Sequence, residues 1–251
     1  MNQERRNQIV KLINMQGTVS NDELINRFGI SIETVRRDLA FLEKNGMLER
    51  VYGGAVKKTF LTSEPSYENR ALKNEKEKAI IAETAETFIE KDDTVYFDLG
   101  TSVLSLAKRI TPEKNICAFT NAIRTAVVLS EQGANVVLPG GEIRKGELSL
   151  SGSLTKDNVS RFNFDKAFIG VAGITKDGIT DFIVDEANIR ADIIKNARQV
   201  IVLADHTKFG LNVRCKVCPI KDIDVIITDE QTPKHILKEL KECGVNVVIA
   251  K

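Results

Sequence analysis

The sequence predicts an α/β protein in which a small winged helix-turn-helix domain precedes a larger domain built on a parallel sheet. Two observations carry this prediction. Near the N-terminus, two short amphipathic segments meet at a glycine, and the second begins with adjacent arginines. Beyond residue 75, short apolar stretches alternate with helical patterns, as is typical of strands covered by helices on both faces. We therefore assign residues 1–57 to the first domain, 58–74 to a polar linker containing Pro65, and 75–251 to the second domain.

The first domain begins with three predicted helices. Apolar side chains at helical spacing indicate a first helix over residues 3–16, which ends at Gly17. Ser20 and Glu23 form a capping box that opens a second helix. Gly29 follows this helix in the position where a left-handed residue ends a helix. The second helix, the glycine and a third helix together make a helix-turn-helix unit.

The third helix carries the sequence SIETVRRDL at residues 31–39, with Ser31 as its N-cap. Its apolar residues recur at helical spacing and are expected to face a small core: Ile32, Val35, Leu39 and Leu42. Arg36 and Arg37 then lie on other faces near the helix start, where they suit phosphates and guanine edges in a major groove. Because these arginines are about 100° apart, we expect one to read bases and the other to contact phosphate.

Residues 47–56 predict a strand, a turn at Gly53–Gly54 and a returning strand, which gives a winged form of the motif. An ordinary surface helix with solvated arginines is the alternative interpretation, but three elements in register favour DNA binding. The residues expected to contact DNA are Ser31, Glu33, Thr34, Arg36 and Arg37 of the helix, with Arg50, Tyr52 and Lys57 of the wing. Paired half-sites in DNA make a dimer the minimum expected assembly.

Charge is distributed unevenly along a chain whose formal net charge is only +1. Residues 1–58 contain ten Lys and Arg against seven Asp and Glu, a net charge of +3, and the remainder carries −2. The positive excess therefore coincides with the predicted DNA-binding domain, as attraction to phosphate requires. No apolar run is long enough to span a membrane and the N-terminus is polar, so we expect a cytoplasmic protein.

In the second domain, polar, small or charged residues follow one strand after another. The expected strands cover residues 94–98, 116–120, 136–138, 167–170, 200–204, 225–228 and 245–249. Ligands of open parallel sheets bind beyond the carboxyl ends of the strands. So many chemically suitable strand ends are hard to explain as turns alone, and they predict a pocket at this edge.

The segment DLGTS at residues 98–102 suits a phosphate group. Gly100 permits a tight turn, and the following helix start offers two hydroxyls and backbone N–H groups. Taken alone, the segment is equally compatible with a capped helix after an ordinary turn. With the other strand ends, it predicts a pocket for a small polyhydroxylated anion, with phosphate held by Thr101, Ser102, Arg144 and Lys208 and sugar hydroxyls held by Asp98, Asn121 and Glu186. The full set of expected effector-binding residues is Asp98, Gly100, Thr101, Ser102, Thr120, Asn121, Gly140, Gly141, Arg144, Ser151, Gly152, Gly170, Gly173, Glu186, Asp205 and Lys208.

Over essentially its whole length, the sequence resembles the DeoR family of bacterial transcription regulators. The matching motifs are SIETVRRDL at 31–39, GMLER at 46–50, YGGA at 52–55, DLGTS at 98–102, TN at 120–121, GG at 140–141, FIG at 168–170, EA at 186–187 and LADHTKFG at 203–210. The family often has a basic pair after the Glu-Ala, where this chain has Arg190 followed by Ala191.

The resemblance implies a winged helix-turn-helix joined to a Rossmann-like sensor domain that binds a phosphorylated sugar and needs no cofactor. It further implies a repressor of a sugar-catabolism operon that binds double-stranded operator DNA as a homodimer or homotetramer. Under this interpretation the chain has no catalytic residues and is not an enzyme.

The predicted sensor is also similar to the fold of ribose-5-phosphate isomerase and glucosamine-6-phosphate deaminase. A sugar-phosphate isomerase or deaminase with an appended DNA-binding domain is therefore the alternative function. Its acid and base groups would come from Asp98, Asp181, Asp185, Glu186 and Lys208. The deaminase has a histidine just after its Asp-Gly pair, where this chain has Ile179, which cannot move a proton.

The four cysteines leave a metal or redox role as a further alternative. Cys215 and Cys218 have the spacing of redox and zinc sites, and His206 and Cys243 are conceivable additional ligands. Because the additional ligands lack the spacing of a zinc motif, we expect no metal site and reduced, partly buried thiols.

Overall fold

The computed structural model describes residues 2–44, 47–56 and 64–251, so Gly46 and Lys57 of the predicted DNA-binding domain lie outside the described residues. The chain divides into two compact units, Met1–Leu61 and Thr62–Lys251. Their boundary falls within the stretch predicted as a linker. Within the described ranges, no helix combines the length and the apolar character that a membrane crossing needs.

The first unit contains three helices and a small antiparallel sheet. Its elements are α1 (Asn2–Gln16), β1 (Thr18–Ser20), α2 (Asn21–Phe28), α3 (Ile32–Lys44), β2 (Glu49–Val51) and β3 (Gly54–Val56), and its strand order is β1-β3-β2. Buried apolar side chains of all three helices join Leu48 and Ala55 in one core. The three predicted helices and the wing are present. The prediction lacks β1 because three residues are too few to show an alternating pattern.

The helix starts and turns of this unit follow the predicted chemistry. Ser20 Oγ accepts a hydrogen bond from the Glu23 N–H at 3.1 Å, and Gly29 ends α2 in the left-handed region with φ 61°. In the wing, a Cβ on Gly54 would lie 2.1 Å from the backbone oxygen of Val19. Only glycine therefore allows β3 to approach β1 this closely.

The second unit is an α/β fold around a seven-stranded sheet. Its helices are α4 (Tyr67–Leu72), α5 (Glu75–Glu86), α6 (Thr101–Ala107), α7 (Ile123–Glu131), α8 (Ser153–Val159), α9 (Val184–Asn196) and α10 (Lys234–Glu242). The strands of the central sheet are β4 (Thr94–Phe97), β5 (Cys117–Phe119), β6 (Asn135–Val137), β9 (Phe164–Gly170), β12 (Ala197–Leu203), β14 (Val225–Thr228) and β15 (Asn246–Ile249). The remaining strands are β7 (Glu142–Arg144), β8 (Ser149–Ser151), β10 (Gly173–Thr175), β11 (Gly178–Asp181) and β13 (Cys215–Cys218).

The central sheet has the order β15-β14-β12-β9-β4-β5-β6, and all its neighbouring strands are parallel. Successive residues point to opposite faces, so in β4 Tyr96 joins one core while Val95 and Phe97 join the other. Later strands extend from β4 in both directions, through β5 on one side and β9 on the other. The carboxyl ends of β4 and β9 thus form a topological switch point, where such sheets bind ligands.

Three regions differ from the sequence prediction. Residues 64–74, assigned to the linker, include α4 and belong to the second unit. The hairpin of β7 and β8 and the antiparallel sheet of β10, β11 and β13 are additional elements. Helix α4 contains no fully buried residue, so it lacks the apolar stripe by which a helix is recognised. The additional strands have three or four residues each and are too short for a clear period.

Candidate functional site

At the switch point, Asp98 follows β4 and contacts the end of β9. Asp98 Oδ2 accepts hydrogen bonds from the Gly170 N–H at 3.1 Å and from Arg190 Nε at 2.6 Å. Arg190 Nη1 donates to Asp181 Oδ2 at 2.5 Å. The side chains of Arg190 and Asp98 are each 2% exposed. This buried triad joins α9 to the ends of two strands.

Burial, which disfavours a charged carboxylate, raises the pKa of Asp98 to about 6, although the Arg190 guanidinium opposes this effect. The predicted role of Asp98 toward sugar hydroxyls therefore competes with an internal partner. Arg190, which stands where the family often has a basic pair, is likewise held inside the fold. The charged groups at the carboxyl end of β4 are thus paired with each other inside the fold.

Five side chains of the second unit alternate in charge along a continuous row. We call them the charge row: Glu186, Arg144, Glu64, Arg70 and Glu147. Arg144 Nη1 lies 2.7 Å from Glu186 Oε1, and Arg144 Nη2 contacts Glu64 Oε2. Arg70 Nη2 lies 3.3 Å from Glu64 Oε1 and also contacts Glu147 Oε2. Sequence reasoning identifies only Arg144 and Glu186 of this row.

The Glu186 carboxylate has one satisfied and one unsatisfied oxygen. Oε1 accepts hydrogen bonds from Arg144 and from Ser149 Oγ, the latter at 2.8 Å. Oε2 is buried and has no hydrogen-bond partner among the residues that the structure describes. Leaving such an acceptor unpaired costs about 1–3 kcal/mol, so this oxygen is suited to a donor supplied by a ligand.

Residues 64–74 are anchored at further points. The guanidinium carbon of Arg124 lies 4.3 Å from the centroid of the Tyr67 ring, a cation–π distance. Lys78 on α5 directs its ammonium group at the carbonyl oxygens that end α4, those of Arg70, Ala71 and Lys73. A cation is favourable there because a helix ends with unpaired carbonyl groups.

Asp205 and Lys208 lie at the carboxyl end of β12. Asp205 Oδ1 accepts hydrogen bonds from the Thr207 N–H at 3.0 Å and from Asn74 Nδ2 at 2.9 Å. Burial acts to raise the pKa of Asp205, but the Lys208 charge and these hydrogen bonds outweigh it, and the pKa is lowered. Burial also lowers the pKa of Lys208, whose charge interacts with Asp205, Arg70 and Glu64. Lys208 thus interacts electrostatically with two members of the charge row, Arg70 and Glu64.

The predicted phosphate loop opens α6. Gly100 has φ 129°, a backbone conformation that favours glycine. The hydroxyls of Thr101 and Ser102 have no hydrogen-bond partner within the described part of the chain, although Ser102 is only 8% exposed. A cavity of about 440 Å³ borders this helix and is lined by Thr101, Tyr67 and Lys78 among others. The loop thus places Thr101 beside a cavity that Tyr67 of residues 64–74 also lines.

Other predicted effector residues have roles within the fold. Thr120 Oγ1 accepts a hydrogen bond from the Ala122 N–H at 3.0 Å. Asn121 accepts one from the Tyr96 hydroxyl at 2.9 Å and donates one to Leu150 O at 3.2 Å. A Cβ added at the predicted glycines would lie 1.9 Å from Thr155 Oγ1 at Gly141, 2.3 Å from Leu211 O at Gly173 and 2.7 Å from Leu99 O at Gly170. Gly140 and Gly152 have φ 75° and 88°, and Ser151 Oγ lies 3.4 Å from Glu142 O. Internal hydrogen bonds, close packing and turn geometry account for these residues.

The helix residues predicted to contact DNA lie at the start of α3. Ser31 Oγ is 3.4 Å from the Thr34 N–H and 3.1 Å from Thr34 Oγ1, which is the expected cap. Arg36 lies 3.5 Å from Glu33, and both side chains are more than half exposed. Arg37 is also exposed. Of the two arginines, Arg37 follows the buried Val35 by about 200° around the helix and points directly away from the core, whereas Arg36 points to one side.

Two of the other predicted DNA contacts, Arg50 and Tyr52, lie in the described part of the wing. Tyr52 is fully exposed in the turn between β2 and β3. Arg50 lies 3.8 Å from Glu43 of α3, so part of its charge is compensated within the unit. Lys57 lies outside the described residues.

Asp38 was not identified from the sequence and is the main polar anchor of the first unit. It is 2% exposed and accepts hydrogen bonds from Arg5 Nε and Arg6 Nε of α1, each at 2.7 Å. Asp38 follows the exposed arginines directly in the sequence, and its spacing from Leu42 is the signal that places it on the buried side. It fixes α1 against α3.

The alternative chemistry predicted from the sequence gains no support from the geometry. Ile179, which replaces the deaminase histidine, is fully buried in a core of the second unit. Burial raises the pKa of the Cys218 thiol to about 12, so the reactive thiolate is disfavoured. The described residues contain no group of three His, Cys, Asp or Glu side chains arranged to hold a metal ion.

Comparison with known proteins assigns both units. Residues 5–59 match the DeoR-like helix-turn-helix domain, and residues 73–230 match the DeoR C terminal sensor domain. The chain is 31% identical over 253 residues to the HTH-type transcriptional regulator GolR of Listeria innocua serovar 6a, covering 99% of this chain and 98% of that protein. It is 30% identical over 241 residues to the glycerol-3-phosphate regulon repressor of Escherichia coli K12, covering 95% of each.

Among solved structures, ribose 5-phosphate isomerase A of Methanocaldococcus jannaschii is similar at 12% identity and a TM-score of 0.40, over 54% of this chain and 55% of that one. The two relatives named above are a transcriptional regulator and a regulon repressor. With a helix-turn-helix in the first unit and a sensor domain in the second, this protein is a DNA-binding regulator and not an enzyme. The chain belongs to the DeoR family of transcriptional regulators.

Proposed function

We propose that this protein represses an operon for sugar catabolism and that a phosphorylated sugar bound by the second unit controls its attachment to operator DNA. The observation that carries the effector half is the unsatisfied buried oxygen of Glu186 beside Arg144. A sugar supplies a hydroxyl donor for the first group, and an anion suits the guanidinium of the second. The similarity to a glycerol-3-phosphate regulon repressor supports a phosphorylated ligand.

The ligand is expected at the carboxyl ends of the central strands. Arg144 and Lys208 supply positive charge, and the hydroxyls of Thr101 and Ser102 supply neutral hydrogen bonds. Glu186 Oε2 accepts from a sugar hydroxyl. Asp98 and Asn121 shape the floor of the site, because their polar atoms already have internal partners.

On DNA, the exposed start of α3 is expected to enter the major groove. Arg37, which points away from the core, reads base edges, while Arg36 at the side contacts phosphate. Tyr52 and Arg50 of the wing contact the neighbouring backbone. Paired half-sites require at least a homodimer, and a homotetramer satisfies the same symmetry. The protein acts in the cytoplasm, on chromosomal DNA.

A thermal-shift screen of the full chain tests the effector half. The panel pairs each sugar phosphate with its unphosphorylated parent, and glycerol 3-phosphate is paired with glycerol. A ligand at a hundredfold excess over its Kd stabilises the folded state by about 2.7 kcal/mol. A shift for one phosphate that is absent for its parent supports the proposal, and fluorescence anisotropy then measures whether that ligand changes binding to DNA from upstream of the regulated operon. A flat response across the panel rules out the phosphorylated effector.

A further inference from the structure

Glu64 fills the position between two guanidinium groups that an anionic ligand needs. Its carboxylate contacts Arg144 with one oxygen and lies 3.3 Å from Arg70 with the other. The Glu64 side chain is only 14% exposed, and that of Arg70 is 16% exposed. Arg144, the predicted phosphate ligand, is thus occupied by a carboxylate of the chain itself.

A carboxylate and a phosphate present the same chemistry to a guanidinium. Both accept two parallel hydrogen bonds from its planar fork. Arg144 also keeps Glu186 on its other terminal nitrogen, so departure of Glu64 leaves the arginine oriented by a neighbour. The site left behind would hold the guanidinium groups of Arg144 and Arg70, and the positive charge of Lys208 already interacts with Glu64 and Arg70. This is a set of donors suited to a dianion.

The segment that carries Glu64 is attached to the rest of the second unit by further contacts. Arg70, six residues later, pairs with both Glu64 and Glu147. The carbonyl oxygens at the end of α4 contact the Lys78 ammonium. Burial raises the pKa of Glu64, and Arg144 and Arg70 oppose this shift. Residues 64–73 therefore form a docked strap that supplies both the Glu64 carboxylate and the Arg70 guanidinium beside Arg144.

We propose that Glu64 is a built-in competitor of the effector, so that the anionic group of a sugar phosphate binds Arg144 and Arg70 in its place. This inference rests on the proposed function, since it assumes a phosphorylated ligand at this site. The two occupants exclude each other, and effector binding releases residue 64, the third residue of the second unit. The ligand thereby acts on the part of the sensor that follows the DNA-binding unit in the sequence. A ligand shifts an equilibrium only through such unequal binding to its two states.

Isothermal titration of the full chain with inorganic phosphate and with glycerol 3-phosphate tests the proposal. Glu64→Gln removes the competing charge and keeps the size of the side chain. Glu68→Gln, an exposed carboxylate on α4, is the matched control. If the Glu64 carboxylate occupies the two arginines nine-tenths of the time, its loss tightens apparent binding roughly tenfold. We expect this gain in Glu64→Gln only, and we expect Arg144→Gln to lose binding in either background.

Each outcome separates the two hypotheses. Tighter phosphate binding by Glu64→Gln, with Glu68→Gln unchanged, supports the competitor. Equal binding by Glu64→Gln and the original chain overturns it and leaves the sugar-phosphate effector in place. Absence of binding in every variant overturns the competitor, and together with a flat thermal-shift panel it also overturns the phosphorylated effector. Circular dichroism confirms that each variant is folded, and amide exchange in residues 64–73 should rise in ligand-free Glu64→Gln if its carboxylate holds the strap.

Discussion

Arg190 Nε lies 2.6 Å from Asp98 Oδ2 at the point where the strand order reverses. The crevice that a doubly wound sheet opens there is therefore closed at its base by an ion pair of the protein. The buried acceptor without a hydrogen-bond partner among the described residues is Glu186 Oε2, whose carboxylate pairs with Arg144 through its other oxygen. Besides the test of Glu64, four predictions rest on individual contacts within the two units.

Replacing Arg190 with Met should destabilise the second unit strongly. The substitution leaves Asp98 and Asp181 as uncompensated buried carboxylates, and breaking a buried pair in this way costs about 3–5 kcal/mol. Urea unfolding monitored by circular dichroism measures the change. Arg198→Met is the control, because Arg198 is 83% exposed and its pair with Asp165 is worth about 0–1 kcal/mol. Equal losses in the two variants would contradict the structural role of the triad.

Gly54→Ala should weaken the wing. The added Cβ would lie 2.1 Å from the backbone oxygen of Val19, and backbone cannot move aside as a flexible side chain does. Overpacking of this kind typically costs about 1–3 kcal/mol. The free energy of unfolding and the affinity for DNA should both be lower in this variant. The neighbouring Gly53→Asn has open space around it and a side chain that tolerates positive φ, so it should stay near the original stability. A milder effect at Gly54 than at Gly53 would refute the close approach.

Arg36 and Arg37 should differ in what their loss does to DNA recognition. Arg37→Ala removes the side chain that points away from the core, and it should cost about 1–3 kcal/mol on the operator while lowering discrimination against mismatched sites. Arg36→Ala should weaken binding to all sequences alike. Fluorescence anisotropy on operator and scrambled duplexes at one salt concentration measures both effects. Identical, uniform losses would mean that neither side chain reads a base.

Asp205 should contribute to stability in a pH-dependent manner. Its pKa is lowered in the folded state, so its contribution is complete above the unfolded value of about 3.9 and is lost as pH falls through the lower folded value. Asp205→Asn lacks this group. The stability gap between the original chain and Asp205→Asn should therefore be largest near pH 6 and shrink toward pH 3.

The sequence was sufficient to predict the structural elements that depend on near neighbours along the chain. Ser20, Glu23 and Gly29 specify their helix ends through contacts with near neighbours, and the structure has the same caps. The central strands can also be predicted from the sequence, because strands that are buried on both faces consist of runs of apolar residues. Arg144 and Glu186 were also recognisable as charged residues beyond strand ends.

The partners of these residues could not be predicted from the sequence, because they come from distant parts of the chain. Arg144 and Glu64 are separated by 80 positions, and Asp98 and Arg190 by 92. No periodicity links such pairs, and Glu64 lies in a polar stretch that reads as a linker. Arg70 belongs to a helix without a buried stripe. Ion pairs between distant residues thus decide which of the predicted ligand-binding side chains remain available to a ligand. The pattern of a single sequence does not show these pairs.

The bridge from Asp38 to Arg5 and Arg6 bears on how salt should affect attachment to DNA. A protein that neutralises phosphates releases condensed counterions, and the logarithm of affinity falls by about 0.9 per contact for each tenfold rise in salt. Two of the basic residues of the first unit already share an internal carboxylate. The slope measured for each protomer should therefore count the exposed side chains of α3 and the wing, and it should fall short of the number of Lys and Arg in the unit.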